Sequence, residues 1–171
     1  MRSEIILKYF PNLTSQQQQQ FESLFDLYKD WNEKINVISR KDMDNFYEHH
    51  VLHSLAIATQ FEFASGSEIM DLGCGGGFPG VPLAIFFPEV NFLMVDSINK
   101  KLKVISEVST AIGLQNIAIR HTRAEDIKDK KFDGNYGGIN VVKYEAALHG
   151  EVQKPGLGPL HTEFDGKGNA Y

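Results

Sequence analysis

Apolar residues along the first third of the chain recur at helical spacing. Phe21, Leu24, Phe25, Tyr28 and Trp31 fall at steps of three and four, which predicts one apolar helix face. Thr14 and Ser15 precede it, and Ser15 followed by Gln18 fits a capping box. Gln16 to Gln20 read as the solvated first turns of this helix, since good helix formers surround them. The pattern breaks at Trp31-Asn32-Glu33-Lys34, and a second helix is expected from about Asp42 through the 50s. From residue 68 the period changes. Glu68–Leu72 and Val90–Val95 read as short apolar strands and Asn116–Ile119 as a third. Helices are expected between them, from Val81 to Phe87 and around Leu102, Val104 and Ile105. Alternating strands and helices predict an α/β domain with a parallel sheet and right-handed crossovers.

Glycine density divides the chain where charge does not. Residues 1–128 hold 7 of the 15 glycines and residues 129–171 hold the other 8. The expected organisation is an N-terminal helical cap over 1–62, a partial Rossmann-like core over 63–131 and an atypical tail over 132–171. The 171 residues suit one domain with a real core, and the composition excludes a wholly disordered chain, a collagen and a disulfide miniprotein. No apolar stretch is long enough to span a bilayer, and the first residues do not read as a signal peptide. The lone Cys74 offers no disulfide framework or zinc set, which points to the cytoplasm. A net charge of −5 argues against a broadly basic coat for nucleic acid, though not against local patches.

Candidate chemistry concentrates after the first strand, where Gly73-Cys74-Gly75-Gly76-Gly77-Phe78-Pro79-Gly80 joins strand to helix. Glycines let the chain turn sharply and let a ligand approach backbone N–H groups. Asp96 ends the second strand about 20 residues on, where a carboxylate can accept hydrogen bonds from ribose hydroxyls. Two registers compete. Gly75, Gly77 and Gly80 satisfy the dinucleotide fingerprint G-x-G-x-x-G, which alone supports an NAD-dependent oxidoreductase only weakly. Asp71-Leu72-Gly73-Cys74-Gly75-Gly76-Gly77 resembles motif I of S-adenosylmethionine-dependent methyltransferases. Its acid is the discriminator, because it can help receive the cationic amino-acid end of that cofactor, whereas a pyrophosphate favours donors. Cys74 has no base nearby in sequence and reads as structural. His49 and His53 share a helix face at i, i+4, as a metal or phosphate site would require. No acid stands as in an HExxH site, so surface or packing histidines and no metal are the expectation.

Trp31-Asn32-Glu33-Lys34-Ile35-Asn36-Val37-Ile38-Ser39 and His50-Val51-Leu52-His53-Ser54, with the glycine loop through Leu83, resemble the bacterial small-subunit rRNA guanine-N7 methyltransferases. These are also called the glucose-inhibited division protein B family. Asp96-Ser97 with Lys100-Lys101, and Arg123-Ala124-Glu125-Asp126, continue the resemblance, which covers about residues 1–128. His53 departs from the Asp that many members carry there. The resemblance implies a Rossmann-like enzyme that moves a methyl group from S-adenosyl-L-methionine to a guanine N7 of 16S rRNA. It places Gly73, Gly75 and Phe78 at the cofactor in the loop, Asp96 on the ribose, and Ala124 and Glu125 beside the adenine. The implied partner is 16S rRNA or the small ribosomal subunit, with no membrane and a monomeric state. Guanine N7 already carries a lone pair, so no general base is required and no catalytic residue is nominated. Lys29, Lys34, Arg40 and Lys41, and separately Lys100, Lys101 and Lys103, form clusters that can meet phosphate, although each alone reads as an ordinary solvated face.

The tail departs from this family. A fourth strand with a Ser-Arg-Ala segment is expected after Asp133, and the chain reads Gly134-Asn135-Tyr136-Gly137-Gly138 instead. Gly150-Glu151-Val152-Gln153 and the run from Gly156 to Tyr171 resemble a segment of nitrous-oxide reductase, with His161 where a copper ligand stands. A propeller needs its other blades and a copper cluster needs more than one histidine, so no copper function is expected. The expectation is instead a joint between two sequences near Lys128 to Asp133. A three-stranded parallel sheet lacks cover on one side of its crevice, so the alternative to an active enzyme is a truncated or chimeric remnant that at most binds cofactor or RNA.

Overall fold

The computed structural model describes residues 3–123, 126–127, 135–136 and 139–140. Helix α1 (Glu4–Tyr9) leads into α2 (Ser15–Lys34). Thr14 caps α2. Its side chain accepts from the Gln17 N–H at 3.2 Å, and the Gln17 side chain accepts from the Thr14 N–H at 2.9 Å. The capping box therefore sits one residue earlier than the Ser15–Gln18 spacing suggests. The helix also continues through Trp31–Lys34, because Asn32 is buried and terminates it from within. The Asn32 side chain accepts from the N–H groups of Val37 and Ile38 and donates to the Ile38 carbonyl, which satisfies the turn beyond the helix end.

The glutamine run is not simply solvated. Gln17 donates to the carbonyls of Ile85 and Phe86, and the buried Gln20 donates to that of Ile112. Two amides thus tie α2 to the ends of helices far along the chain. Residues 40–59 are helical but change pitch along their length. A 3₁₀ segment (Arg40–Asn45) passes to a π-helical one (Phe46–Leu52), a single α turn, α3 (His53–Leu55), and a last 3₁₀ turn (Ala56–Thr59).

Strands β1 (Glu68–Leu72), β2 (Asn91–Asp96) and β3 (Ile117–His121) form a parallel sheet in the order β1-β2-β3, joined by α4 (Gly80–Phe86) and α5 (Asn99–Ala111). Ile69 pairs with Phe92, Asp71 with Met94, and Asp96 with His121. The residues Gly80–Ile85 of α4 are all buried. The Asn116 side chain donates to the carbonyls of Ala84, Phe87 and Val90, closing the α4 end onto the sheet. Asn135–Tyr136 (β4) and Ile139–Asn140 (β5) form a short antiparallel pair, and the rest of the tail, including His161, lies outside the described residues. No helix among the described residues is long and apolar enough to cross a membrane.

Candidate cofactor site

The site begins with the ends of parallel strands. Three carboxyl ends side by side leave a crevice above the sheet, and the first strand-to-helix turn forms its wall. A cavity of about 590 Å³ lies there, lined by Leu72, Gly73, Val95, Asp96, Ser97, Thr122 and Arg123. That volume falls within the range of small-molecule sites.

The glycine loop is pinned from three directions. Gly73 and Cys74 both donate their N–H to the Val95 carbonyl, at 2.7 and 3.0 Å. The buried Tyr28 hydroxyl on α2 donates to the Gly76 carbonyl at 2.7 Å. At Gly77 (φ +101°) an added Cβ would stand 2.7 Å from Val81 of α4, 3.0 Å from the Tyr28 hydroxyl and 3.2 Å from Ile105 of α5. Three helices close on that atom position, so only glycine fits. Gly73 (φ +79°) is the opposite case. Nothing lies within 4 Å of its would-be Cβ, so its backbone faces open space on the cavity.

Two carboxylates organise the loop. Asp96, only 8% exposed, accepts from the Gly75 N–H at 2.9 Å through one oxygen and from the Ile98 N–H at 2.7 Å through the other. Each oxygen keeps a lone pair for a hydroxyl donor in the cavity. Asp71 lies beneath the loop and accepts from the Gly80 N–H at 3.0 Å, at the start of α4. Burial first, and then the Asp96 charge, push its carboxyl up to about 6 against the pull of the Gly80 N–H. Cys74 is 1% exposed, and burial together with the Asp71 and Asp96 charges pushes its thiol up to about 12, which suits a packed side chain and not a nucleophile.

The other sequence candidates are distributed as follows. Gly73 and Asp96 come together on the cavity, and Gly75 is joined to it through the Asp96 hydrogen bond. Phe78 is not among the cavity's lining residues. Its ring packs 4.8 Å from Tyr28, 5.8 Å from Phe46 and 5.4 Å from His50, so it anchors the loop to the helical cap. Ala124 and Glu125 lie outside the described residues. His49 and His50 converge on one carboxylate, with Asp42 accepting at 2.6 Å and 2.7 Å. The His49 hydrogen bond, with help from His50, holds Asp42 below the usual carboxylate range. Sequence reasoning missed Tyr28 as a loop anchor and Thr122, whose N–H donates to the Asp96 carbonyl at the cavity floor. Tyr28 had a place in the apolar stripe of α2, and nothing in that stripe distinguishes a hydroxyl with a partner 48 residues away.

The family model for rRNA small subunit methyltransferase G matches residues 17–136. Among curated relatives, the ribosomal RNA small subunit methyltransferase G of Phocaeicola vulgatus is 65% identical over 130 residues, which is 76% of this chain and 62% of that protein. The Bacteroides thetaiotaomicron protein of the same name is 65% identical over 125 residues, covering 73% and 61%. That of Christiangramia forsetii is 53% identical over 136 residues, covering 80% and 62%. The chain therefore spans about three fifths of the length of the curated relatives it matches. A solved coclaurine N-methyltransferase, bound to N-methylheliamine and S-adenosylhomocysteine, superposes with a TM-score of 0.43 at 14% identity, covering 79% of this chain and 46% of that one. The family match ends at residue 136.

Proposed function

Because the chain belongs to the rRNA small subunit methyltransferase G family, we propose that its cavity holds S-adenosyl-L-methionine for methylation of a guanine N7 in 16S rRNA. The observation that carries this reading is the pairing of Asp96 and Gly73 on one cavity at the carboxyl ends of the sheet. The donor set fits the cofactor. Asp96 has lone pairs free for ribose hydroxyls, the Gly73 backbone is open to close approach, and Leu72 and Val95 offer apolar contact. Gly75 holds Asp96 in place. Ala124 and Glu125 are proposed for the adenine edge on resemblance alone, and Phe78 is proposed as a loop anchor whose reach to the cofactor is indirect.

When bound, the cofactor supplies an electrophilic methyl on a sulfonium. The chain's own contribution is position and field. The half-buried Asp71 and buried Asp96 carboxylates place negative charge under the loop, which favours a cationic ligand over a pyrophosphate. No side chain has to remove a proton, since guanine N7 attacks through an existing lone pair.

Calorimetry with S-adenosylhomocysteine and with NADH tests the cofactor. Binding of the first and not the second is expected, and Asp96→Ala should weaken it at least tenfold, the value of about one charge-assisted hydrogen bond. Binding of NADH alone would overturn the assignment. Transfer of a labelled methyl group to 16S rRNA, located by cleavage at the N7-methylated base, tests the reaction. Cofactor binding without transfer would make the chain a binding unit only.

A further inference from the structure

Two basic clusters that are some 65 residues apart in sequence meet on one indole. Lys34 of α2 places its ammonium 4.9 Å from the centroid of the Trp31 ring, and Lys103 of α5 places its own 5.9 Å from the same centroid. The two nitrogens are thus within about 11 Å of each other, close to one Debye length at 0.1 M salt. Each ammonium is attracted to the face of the indole, which helps offset the repulsion between like charges. Both lysines are exposed, and no carboxylate among the described residues forms an ion pair with either. In a chain of net charge −5, these two ammoniums are held in a defined place by the ring.

The place is the flank of the cofactor loop. On α2, Tyr28 lies one turn before Trp31 and donates to the Gly76 carbonyl, and Val37 packs over Gly76 just beyond Lys34. On α5, Ile105 packs at Gly77, and the helix begins three residues after Asp96. Lys103 is therefore about 6 Å along the axis, roughly one turn, from the first residue of α5. Lys100 and Lys101 occupy the turn before it, and the charge of Lys101 is felt at Cys74 inside the loop.

We propose that Trp31, Lys34 and Lys103 form a docking surface for the phosphate backbone of single-stranded RNA, holding the strand alongside the loop so that a base can reach the cavity. Two ammoniums on a rigid ring suit two phosphates of one strand, and the ring gives the lysines a shared, pre-set orientation that isolated surface lysines lack. The identity of the RNA as substrate rests on the function proposed above, whereas the surface itself rests on the geometry of α2 and α5.

The test is fluorescence anisotropy of a labelled single-stranded oligoribonucleotide with the whole chain, repeated over a series of KCl concentrations. Lys34→Gln with Lys103→Gln should weaken binding more than tenfold at low salt. The same double variant should flatten the plot of log affinity against log salt by about 1.4, which is two phosphates at about 0.7 each. Lys103→Gln alone should flatten it by about half as much, and this single variant decides the matter if the double one does not fold. Lys34→Arg with Lys103→Arg should keep the slope. Lys8→Gln, which removes an exposed lysine from α1, should change it little. No RNA binding by the parent chain at low salt, an unchanged slope in the double variant, or an equal loss in Lys8→Gln would overturn the proposal. Calorimetry with S-adenosylhomocysteine on the same samples separates the two readings. Retained cofactor binding with RNA binding blind to the lysines overturns this surface alone, while lysine-dependent RNA binding in a chain that takes no cofactor overturns the cofactor assignment and leaves the surface standing.

Discussion

Asp71 is the residue at which stability and ligand binding are opposed. Its folded carboxyl is raised to about 6 by burial and by Asp96, against an ordinary value near 3.8, so the fold favours the protonated form. The stability from this group is fully present below about pH 3.8 and is lost as pH rises through about 6. At neutral pH the half-buried charge destabilises by up to about 3 kcal/mol. Asp71→Asn keeps an acceptor for the Gly80 N–H and removes the charge. In urea unfolding, the variant should gain on the parent chain as pH goes from 4 to 8, by up to about 3 kcal/mol. A constant difference across that range would show that Asp71 does not titrate as its burial demands. The same substitution should weaken the binding of a cationic ligand, because it removes negative charge from beneath the loop. Asp71 and Asp96 were both legible as candidates from their places at strand ends. Their division of labour was not, because Asp71 meets the N–H at the start of α4 while Asp96 meets those of Gly75 and Ile98, and only the folded loop brings these groups to them.

At the scale of elements, α2 does more than cover the sheet. Tyr28 fixes the Gly76 carbonyl, Gln17 and Gln20 reach carbonyls at the ends of α4 and α5, and Val37 beyond the helix packs on Gly76. The cap and the cofactor loop are thereby one packed unit. Tyr28→Phe removes one hydroxyl and leaves a buried carbonyl without its donor, which should destabilise by about 1–3 kcal/mol and loosen the loop. Chemical denaturation gives the first quantity, and calorimetry with S-adenosylhomocysteine gives the second. A variant as stable and as tight-binding as the parent would remove Tyr28 from the loop's support. The periodicity of α2 predicts a helix and its buried face. It predicts no partner for a polar side chain, since a glutamine on a helix reads the same whether it meets water or a distant carbonyl.

For the whole molecule, the sheet is covered unequally. Asp71 and Met94 face α4, and both α4 and α5 close on Gly77 from that side. In register on the other face stand Met70, Leu72, Leu93 and Val95; Val95 is buried, Met70 and Leu93 are half-buried, and Leu72, at the end of β1, is 53% exposed. A parallel sheet is ordinarily buried on both faces, so among the described residues Leu72 marks where the crevice has least packing. Ligand should supply part of what packing does not. S-adenosylhomocysteine at 100 times its dissociation constant should stabilise the chain by about 2.7 kcal/mol and raise the midpoint of a cooperative thermal transition by roughly 5–10 °C. A broad transition that ignores the ligand would mean that the site does not form.

The sequence alone determined the order of strands and helices, the glycine loop and the acid at the end of the second strand, because spacing, turn chemistry and strand termini are local properties of the chain. Even there the limits were a residue or two off, as at Thr14, where the cap depends on which side chain reaches the third N–H. Only the tertiary structure decided that Phe78 turns away into the rings of Tyr28, Phe46 and His50, and that the glutamine run holds distant carbonyls. It alone brought Lys34 and Lys103 onto one indole. Each of these is a meeting of residues far apart in sequence, set by how α2 packs against α4 and α5, and helical periodicity carries the faces of helices but not their partners.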